Sequence, residues 1–359
     1  MSLPRFHRLR VSEVRRETAD AVSIAFDLPA ELRPEFGFTS GQYLTLKTLI
    51  DGEDVRRSYS ICSGLDDGEL RVAVKKVEGG VFSCFANENL KSGDEVEVMT
   101  PMGRFTLQSA PEAVRNLVGF ASGSGITPLL SIIKTVLARE PNSRFTLFYG
   151  NRSTGSILFR EALEDLKDRF LERLSVFHVL SRETQDISIL NGRLDGEKVA
   201  LFLRSIVPAA TIDEAFVCGP ADMIDQIETA LIGQGLPRER VHVERFTPSG
   251  AVARPAVARP RAAEEAPAAS ATIITDGIAT RIPVRADETV LEAATRAGLD
   301  LPYSCRGGMC CTCRAKVSEG EVTMDVNYSL EPWELEAGFV LTCQARPVTA
   351  AVTVDFDQV

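Results

Sequence analysis

Residues 304–313 read SCRGGMCCTC, and the spacing of the thiols here decides how the C-terminal part of the chain must fold. Four residues separate Cys305 from Cys310 and two separate Cys310 from Cys313, and Cys343 follows after 29 more. Four thiolates so spaced converge on one small volume if the loop wraps what they hold. Gly307 and Gly308 let the backbone do this and aim N–H groups at sulfur. Structural zinc usually takes paired C-x2-C knuckles, whereas a first spacing of four and a lone last cysteine fit a 2Fe–2S cluster. Cys305, Cys310, Cys313 and Cys343 are the expected ligands, with Cys311 a packed bystander.

The remaining cysteines, Cys62, Cys84 and Cys218, are scattered, which argues against a disulfide framework. With 359 residues, 44% hydrophobic and 25% charged, the composition is that of a globular chain of two or three domains. No apolar run approaches the ~20 residues that span a bilayer. The opening MSLPRFHRLRVSEVRRET has no apolar signal core, so a cytoplasmic location is expected. A net charge of −10 excludes a nucleic-acid backbone as partner, and no basic stripe supports a DNA-binding redox regulator.

Upstream of the cysteines, residues 247–271 hold ten Ala and four Pro and no aromatic, and read as a flexible linker. Residues 1–110 alternate short β-type runs such as VSIAF, QYLTLKT, RSYSIC and LRVAVKKV with turns, as in an antiparallel β-barrel. Residues 111–246 alternate apolar strands with helical periods, from NLVGFA and TPLLSIIKTVLAR to DEAFVC and ADMIDQIETALIGQG. That rhythm suits an α/β domain built on a parallel sheet. Residues 272–359 form a third, α+β domain around the cysteine loop.

Two elements in the barrel suit a flavin. Arg57-Ser58-Tyr59-Ser60 lies on an expected strand, so alternation puts a guanidinium and an aromatic ring on one face. Gly79-Gly80-Val81-Phe82-Ser83 runs into the helical CFANENL, where free N–H groups would cradle a pyrophosphate. Two further elements suit a nicotinamide nucleotide. Strand NLVGFA enters Gly123-Ser124-Gly125-Ile126-Thr127-Pro128, where the glycines allow close backbone approach, Thr127 suits a cap and Pro128 the first helical turn. Cys218-Gly219-Pro220 sits where DEAFVC gives way to a helix, and Cys218 is either a packed core thiol or a neighbour of the nicotinamide.

R-x-Y-S, G-G-x-x-S, G-S-G-I-T-P and C-G-P in this order resemble the ferredoxin–NADP reductase superfamily. The C-terminal cysteine loop resembles a plant-type 2Fe–2S ferredoxin, as in reductase components of bacterial multicomponent oxygenases. The resemblance implies an FAD barrel, an NAD(P) α/β domain and a β-grasp ferredoxin domain. It implies that Arg57, Ser58, Tyr59 and Ser60, with Val74 and Lys75, and Gly80, Val81, Phe82 and Ser83, hold FAD. Gly123, Gly125, Thr127 and Pro128 would shape the nucleotide loop, and Cys218, Gly219 and Pro220 would approach the hydride path. Phe246 would lie near the flavin, making Tyr59, Cys218 and Phe246 the expected catalytic group. Ser181-Arg182 and Arg152 would receive the 2′-phosphate of NADPH, with NADH the other possibility. The implied activity is NAD(P)H-dependent electron transfer through FAD and 2Fe–2S to an oxygenase component, a di-iron protein. The three histidines would have no catalytic part.

Overall fold

The computed structural model describes residues 4–246 and 268–358. They form two compact units, one of residues 6–246 and one holding the C-terminal residues. In the first, β1 (Phe6–Thr18), β2 (Ala21–Asp27), β3 (Tyr43–Ile50), β4 (Glu53–Ser60), β5 (Leu70–Lys75) and, after helix α1 (Val81–Glu88), β6 (Glu95–Met99) make an antiparallel sheet ordered β4-β3-β6-β1-β2-β5. Strand β1 is dense in arginine and glutamate, yet Leu9 and Val11 alternate inward to meet Ile24, Leu44, Leu46, Val72 and Val98. That alternation, not composition, makes it a strand.

The same unit continues with β7 (Asn116–Ser122), α2 (Ile126–Arg139), β8 (Arg144–Asn151), α3 (Arg160–Arg169), β9 (Leu174–Leu180), α4 (Gly196–Ser205), β10 (Glu214–Gly219), α5 (Ala221–Gly233) and β11 (Val241–Arg245). The five strands are parallel, in the order β11-β10-β7-β8-β9. Their residues alternate between two cores. Leu117, Phe145 and Leu147 pack with α2 and α3, while Val118, Phe120 and Phe148 pack with Phe202 of α4 and Ile224 of α5. Strand order reverses at β7, which places a crevice at the C-terminal ends of β7 and β10. Helix α2 also fastens the barrel: the Ser131 hydroxyl donates to the Ser63 carbonyl at 2.7 Å, and Lys134 pairs with Asp67 at 2.6 Å.

The C-terminal unit contains β12 (Ala269–Thr275), β13 (Ile278–Val284), α6 (Val290–Arg296), β14 (Arg314–Glu319), β15 (Val322–Met324), α7 (Pro332–Glu336), β16 (Phe339–Leu341), β17 (Ala345–Pro347) and β18 (Ala351–Asp355). Its main sheet is ordered β13-β12-β18-β14-β16, with β12 and β18 parallel, a β-grasp arrangement in which α6 packs on β13. Helix α6 starts with a capping box between Thr289 and Glu292. Strand β12 begins inside the segment expected to be linker: Ala269, Ser270 and Ala271 are paired, and Ala271 is wholly buried opposite Val352 and Ile282. Ladder pairing and burial override the low strand propensity of alanine there. The other linker positions, 247–267, lie outside the described residues, and Ala268 directly precedes the strand. No helix among the described residues is long and apolar enough to cross a membrane.

Candidate functional site

Strand β4 sets Arg57 and Tyr59 opposite Leu46 and Leu44 of β3, on one face as alternation requires. Burial pushes the pKa of the Tyr59 hydroxyl upward against the nearby Arg57 guanidinium, so Tyr59 is a neutral ring beside a cation. Beneath it lies Phe82, with ring centroids 5.5 Å apart. Phe82 is buried in the barrel core, so its side chain supports Tyr59 and leaves phosphate contact to the backbone. Helix α1 starts at Gly80 without a side-chain cap, which leaves the first-turn N–H groups without intrahelical acceptors. The Ser83 hydroxyl instead accepts from the Val77 N–H at 3.1 Å and shapes the loop before the helix. A Cβ at Gly80 would stand 2.5 Å from that hydroxyl oxygen, so a side chain there would displace the hydroxyl that shapes the loop. Val81 is exposed at the rim, Val74 is buried in the barrel core, and Lys75 pairs with Asp20 at 3.4 Å. Ser58 lies 3.2 Å from the Thr45 hydroxyl, on the opposite face from Arg57 and Tyr59. These groups fit a flavin: a neutral ring, a guanidinium and an open helix start.

The crevice at the reversal of strand order brings the two nucleotide motifs together. Cys218 of β10 is in register with Ala121 of β7. A Cβ at Gly125 would lie 2.1 Å from the Cys218 carbonyl oxygen, and one at Gly219 would lie 2.5 Å from Met223 Cε. Only bare backbone lets these loops meet so closely. Gly125, not Thr127, is the N-cap residue of α2; the Thr127 hydroxyl donates to the Ser124 carbonyl at 3.0 Å, and Pro128 occupies the third helical position. Pro220 caps α5 in the same way, without a side-chain bond. From below, the Tyr149 hydroxyl donates to the Gly123 carbonyl at 2.9 Å. At the adjoining ends of β8 and β9, the Ser181 N–H donates to the Asn151 carbonyl and the Arg182 N–H to the Arg152 carbonyl. Arg152 and Arg182 are both exposed, and neither side chain has an ion-pair partner among the described residues.

Cys218 is fully buried, and burial, with the Glu244 carboxylate second, pushes its thiol far above the usual range. It is a neutral thiol, not a nucleophile. Glu244 of β11 is in register with Cys218 and accepts from the Ser60 hydroxyl at 3.4 Å, joining the parallel sheet to the R-x-Y-S strand. Burial raises its pKa to about 8, with Ser60 opposing. Sequence reasoning missed Glu244 and Tyr149. An acid in a short strand two residues before Phe246 was the one signal for Glu244, and FYG at a strand end the one for Tyr149. Phe246 itself is 39% exposed just beyond β11.

In the C-terminal unit the thiols are free and come in two hydrogen-bonded pairs, Cys305 with Cys310 and Cys313 with Cys343. The pairing to Cys310, with backbone N–H groups, lowers the Cys305 pKa, and Cys310 is raised in turn. Cys305 Sγ accepts from the Gly307 and Met309 N–H groups at 3.3 and 3.4 Å, and Cys343 Sγ from Gln344 Nε2 at 3.4 Å. Among the described residues no three ligating side chains surround a single ion position. Two pairs of thiols in a lattice of N–H donors instead fit a two-iron cluster, in which each iron takes two protein ligands. Cys311 has a left-handed backbone (φ 52°) and its thiol donates to the Ser329 carbonyl at 3.5 Å.

Family models match in the same order as these elements: an oxidoreductase FAD-binding domain over residues 8–107, an oxidoreductase NAD-binding domain over 120–229, and a 2Fe-2S iron-sulfur cluster binding domain over 273–348. The chain is 48% identical over 353 residues to a component of the 1,2-phenylacetyl-CoA epoxidase of Escherichia coli (strain K12), covering 98% of both chains. It is 35% identical to the ferredoxin reductase component of 3-ketosteroid-9-alpha-monooxygenase of Rhodococcus rhodochrous, covering 97% of this chain and 96% of that one. Among solved structures, phthalate dioxygenase reductase shares the fold over 98% of both chains, with a TM-score of 0.60 and 24% identity. The chain is thus an NAD(P)H-dependent oxidoreductase that uses FAD and a 2Fe–2S cluster, and it belongs to the ferredoxin–NADP reductase superfamily, in the group with a C-terminal ferredoxin domain that includes this component of phenylacetyl-CoA epoxidase.

Proposed function

We propose that this chain is a cytoplasmic reductase that draws electrons from NADPH and delivers them to a di-iron oxygenase acting on phenylacetyl-CoA. The observation that carries the reading is the 48% identity, spread over both chains end to end, with the matching component of that epoxidase. When bound, FAD exchanges the paired electrons of a nicotinamide for the single electrons that a 2Fe–2S cluster carries. The chain's own residues bind, orient and shield. Arg57 neutralises a phosphate, Tyr59 offers its ring, Ser58 and Ser60 lie along the same strand, and Val74 and Lys75 close the barrel edge. Gly80 and the N–H groups of Val81, Phe82 and Ser83 cradle the pyrophosphate.

Gly123, Gly125, Thr127 and Pro128 hold the nucleotide loop against Cys218, Gly219 and Pro220. Cys218 and Phe246 fill the space beside the reacting ring and exclude water. Arg152, Ser181 and Arg182 receive the 2′-phosphate, because two exposed guanidinium groups at adjoining strand ends suit a dianion better than a ribose hydroxyl. Cys305, Cys310, Cys313 and Cys343 ligate the cluster. Anaerobic titration of the holoprotein with NADPH tests the relay: flavin and cluster absorption should both bleach, and bleaching of flavin alone would overturn it. Reconstitution with the phenylacetyl-CoA oxygenase and, separately, with a 3-ketosteroid oxygenase tests the acceptor. Product formation only with the latter would replace the first acceptor by the second.

A further inference from the structure

Electrons delivered through the cluster leave the C-terminal unit where a partner can approach the cysteine loop, and one exposed surface lies against that loop. The segment from Val326 to Leu330 is tied directly to it. The Tyr328 N–H and the Ser329 hydroxyl both donate to the Gly308 carbonyl, at 3.1 and 3.2 Å, and the Cys311 thiol donates to the Ser329 carbonyl. Asn327 Oδ1 accepts from the Ser329 and Leu330 N–H groups, which turns the chain into α7. Helix α7 is fixed in turn. Glu334, with no exposed surface, pairs with Arg314 at 2.7 Å through one oxygen and accepts the Glu331 N–H with the other. Arg314 directly follows the ligand Cys313, and its guanidinium stacks on Phe339 at 3.5 Å. A buried ion pair of this kind fixes position more than it adds stability.

On this rigid segment three large side chains face solvent: Trp333, 58% exposed and the sole tryptophan of the chain, Leu335, 42% exposed, and Tyr328, 38% exposed. Exposed tryptophan and tyrosine are the commonest anchors of protein interfaces. Along the chain the charge of this stretch has one sign, with Arg314 and Lys316 lying beneath it over Phe339. Residues 317–345 contain Glu319, Glu321, Asp325, Glu331, Glu334 and Glu336 and no lysine or arginine. Asp325 pairs with Arg346 and Glu334 with Arg314, while Glu319, Glu321, Glu331 and Glu336 have no cationic partner among the described residues.

We propose that Trp333 and Leu335, flanked on α7 by Glu331 and Glu336, are the docking surface for the electron acceptor, a protein that offers an apolar recess rimmed by lysine and arginine. Apolar anchors at the centre set the lifetime of such a complex, and the flanking carboxylates set its encounter rate and salt dependence. The inference rests on the reductase reading above, and the test separates the two. Cytochrome c, whose exposed haem edge is apolar and ringed by lysine, serves as the probe acceptor, and ferricyanide as a small acceptor that needs no docking surface. In the full-length holoprotein, W333A should raise KM for cytochrome c about tenfold, the loss of one interface anchor. NADPH–ferricyanide turnover should be unchanged, and W333F should restore most of the loss.

The double variant E331Q/E336Q should lower the cytochrome c association rate at low salt and flatten its salt dependence, with ferricyanide again unaffected. A cytochrome c KM within about twofold of wild type for W333A, by the same measure, would overturn the proposal. So would slowed NADPH bleaching of the cluster in that variant, which would assign Trp333 to uptake of electrons from the chain's own flavin. Sedimentation that shifts to monomer in W333A would assign it to a second copy and overturn it likewise. Failure of wild-type protein to reduce ferricyanide with NADPH would instead refute the underlying reading.

Discussion

The contact between the two nucleotide loops gives a sharp test at a single atom. An alanine at Gly125 would place its Cβ 2.1 Å from the Cys218 carbonyl oxygen and 2.5 Å from the carbonyl carbon, whereas real Cβ contacts do not fall below 3.0 Å. Both neighbours are backbone at the end of a buried strand, so no flexible side chain can move aside. The loop after β7 and the end of β10 must therefore part by about 1 Å, since a close-packed interior has no void to absorb the methyl group. Overpacking of this kind costs about 1–3 kcal/mol. A displacement of about 1 Å in a reacting pair costs on the order of a hundredfold in rate.

G125A should thus keep its FAD and its cluster absorption and melt only a few degrees lower. Stopped-flow reduction of its flavin by NADPH should slow by roughly 50- to 100-fold. Dithionite, which needs no nucleotide site, should reduce both chromophores at the wild-type rate. A flavin reduction rate within about threefold of wild type, with fold and FAD content intact, would refute the claim that this backbone contact sets the hydride geometry.

Three further outcomes follow from the site. R152A/R182A should raise KM for NADPH at least about tenfold and leave NADH nearly unchanged, as steady-state ferricyanide reduction with each nucleotide will show; equal losses for both would remove the 2′-phosphate assignment. Glu244 has its pKa raised from 4.5 to about 8 by burial, so the folded state holds a proton that the unfolded chain releases. Its contribution to stability is therefore full below pH 4.5 and declines as pH rises toward 8. E244Q should flatten the fall of Tm across that window, and an unchanged Tm–pH profile would show that the carboxyl is solvated. C310S should lose the visible absorption of the cluster while NADPH–ferricyanide turnover persists through the flavin; loss of that turnover as well would show that ferricyanide takes its electrons from the cluster.

Local patterns were legible wherever the chemistry sits within a few residues. Three of the four expected ligands, Cys305, Cys310 and Cys313, share one loop, so the spacing that a cluster would impose is written in the sequence. The glycines at 123, 125 and 219 declared a close backbone approach, although the sequence could not say that Gly125 closes on the Cys218 carbonyl itself. Strand β1 was harder to read, because a surface strand with arginine and glutamate on its outer face looks merely charged until its partners show where Leu9 and Val11 point. Helix α4 went unread despite Asp195, whose side chain accepts from the Lys198 N–H as an N-cap, because its apolar face is only Val199, Phe202 and Leu203. Glu244 was least legible of all: its partner Ser60 is 184 residues away, and the pairing exists only once the barrel and the parallel sheet share one unit.

That long-range pairing explains a feature of the site that no single motif carries. Tyr59, Cys218 and Glu244 come from the barrel, from β10 and from β11, and burial pushes the pKa of each upward. Well below pH 8 none of the three adds a negative charge, which suits a domain that binds an anionic dinucleotide. The cysteine loop works in the opposite sense: N–H donors converge on Cys305 and Cys343, and donors of that kind stabilise thiolate. One chain therefore pairs three uncharged buried groups in its first unit with an anion-stabilising cysteine loop in its C-terminal unit. An acid at position 244 gives that uncharged set an upper pH limit, because ionisation above about 8 would set a carboxylate beside the Cys218 thiol.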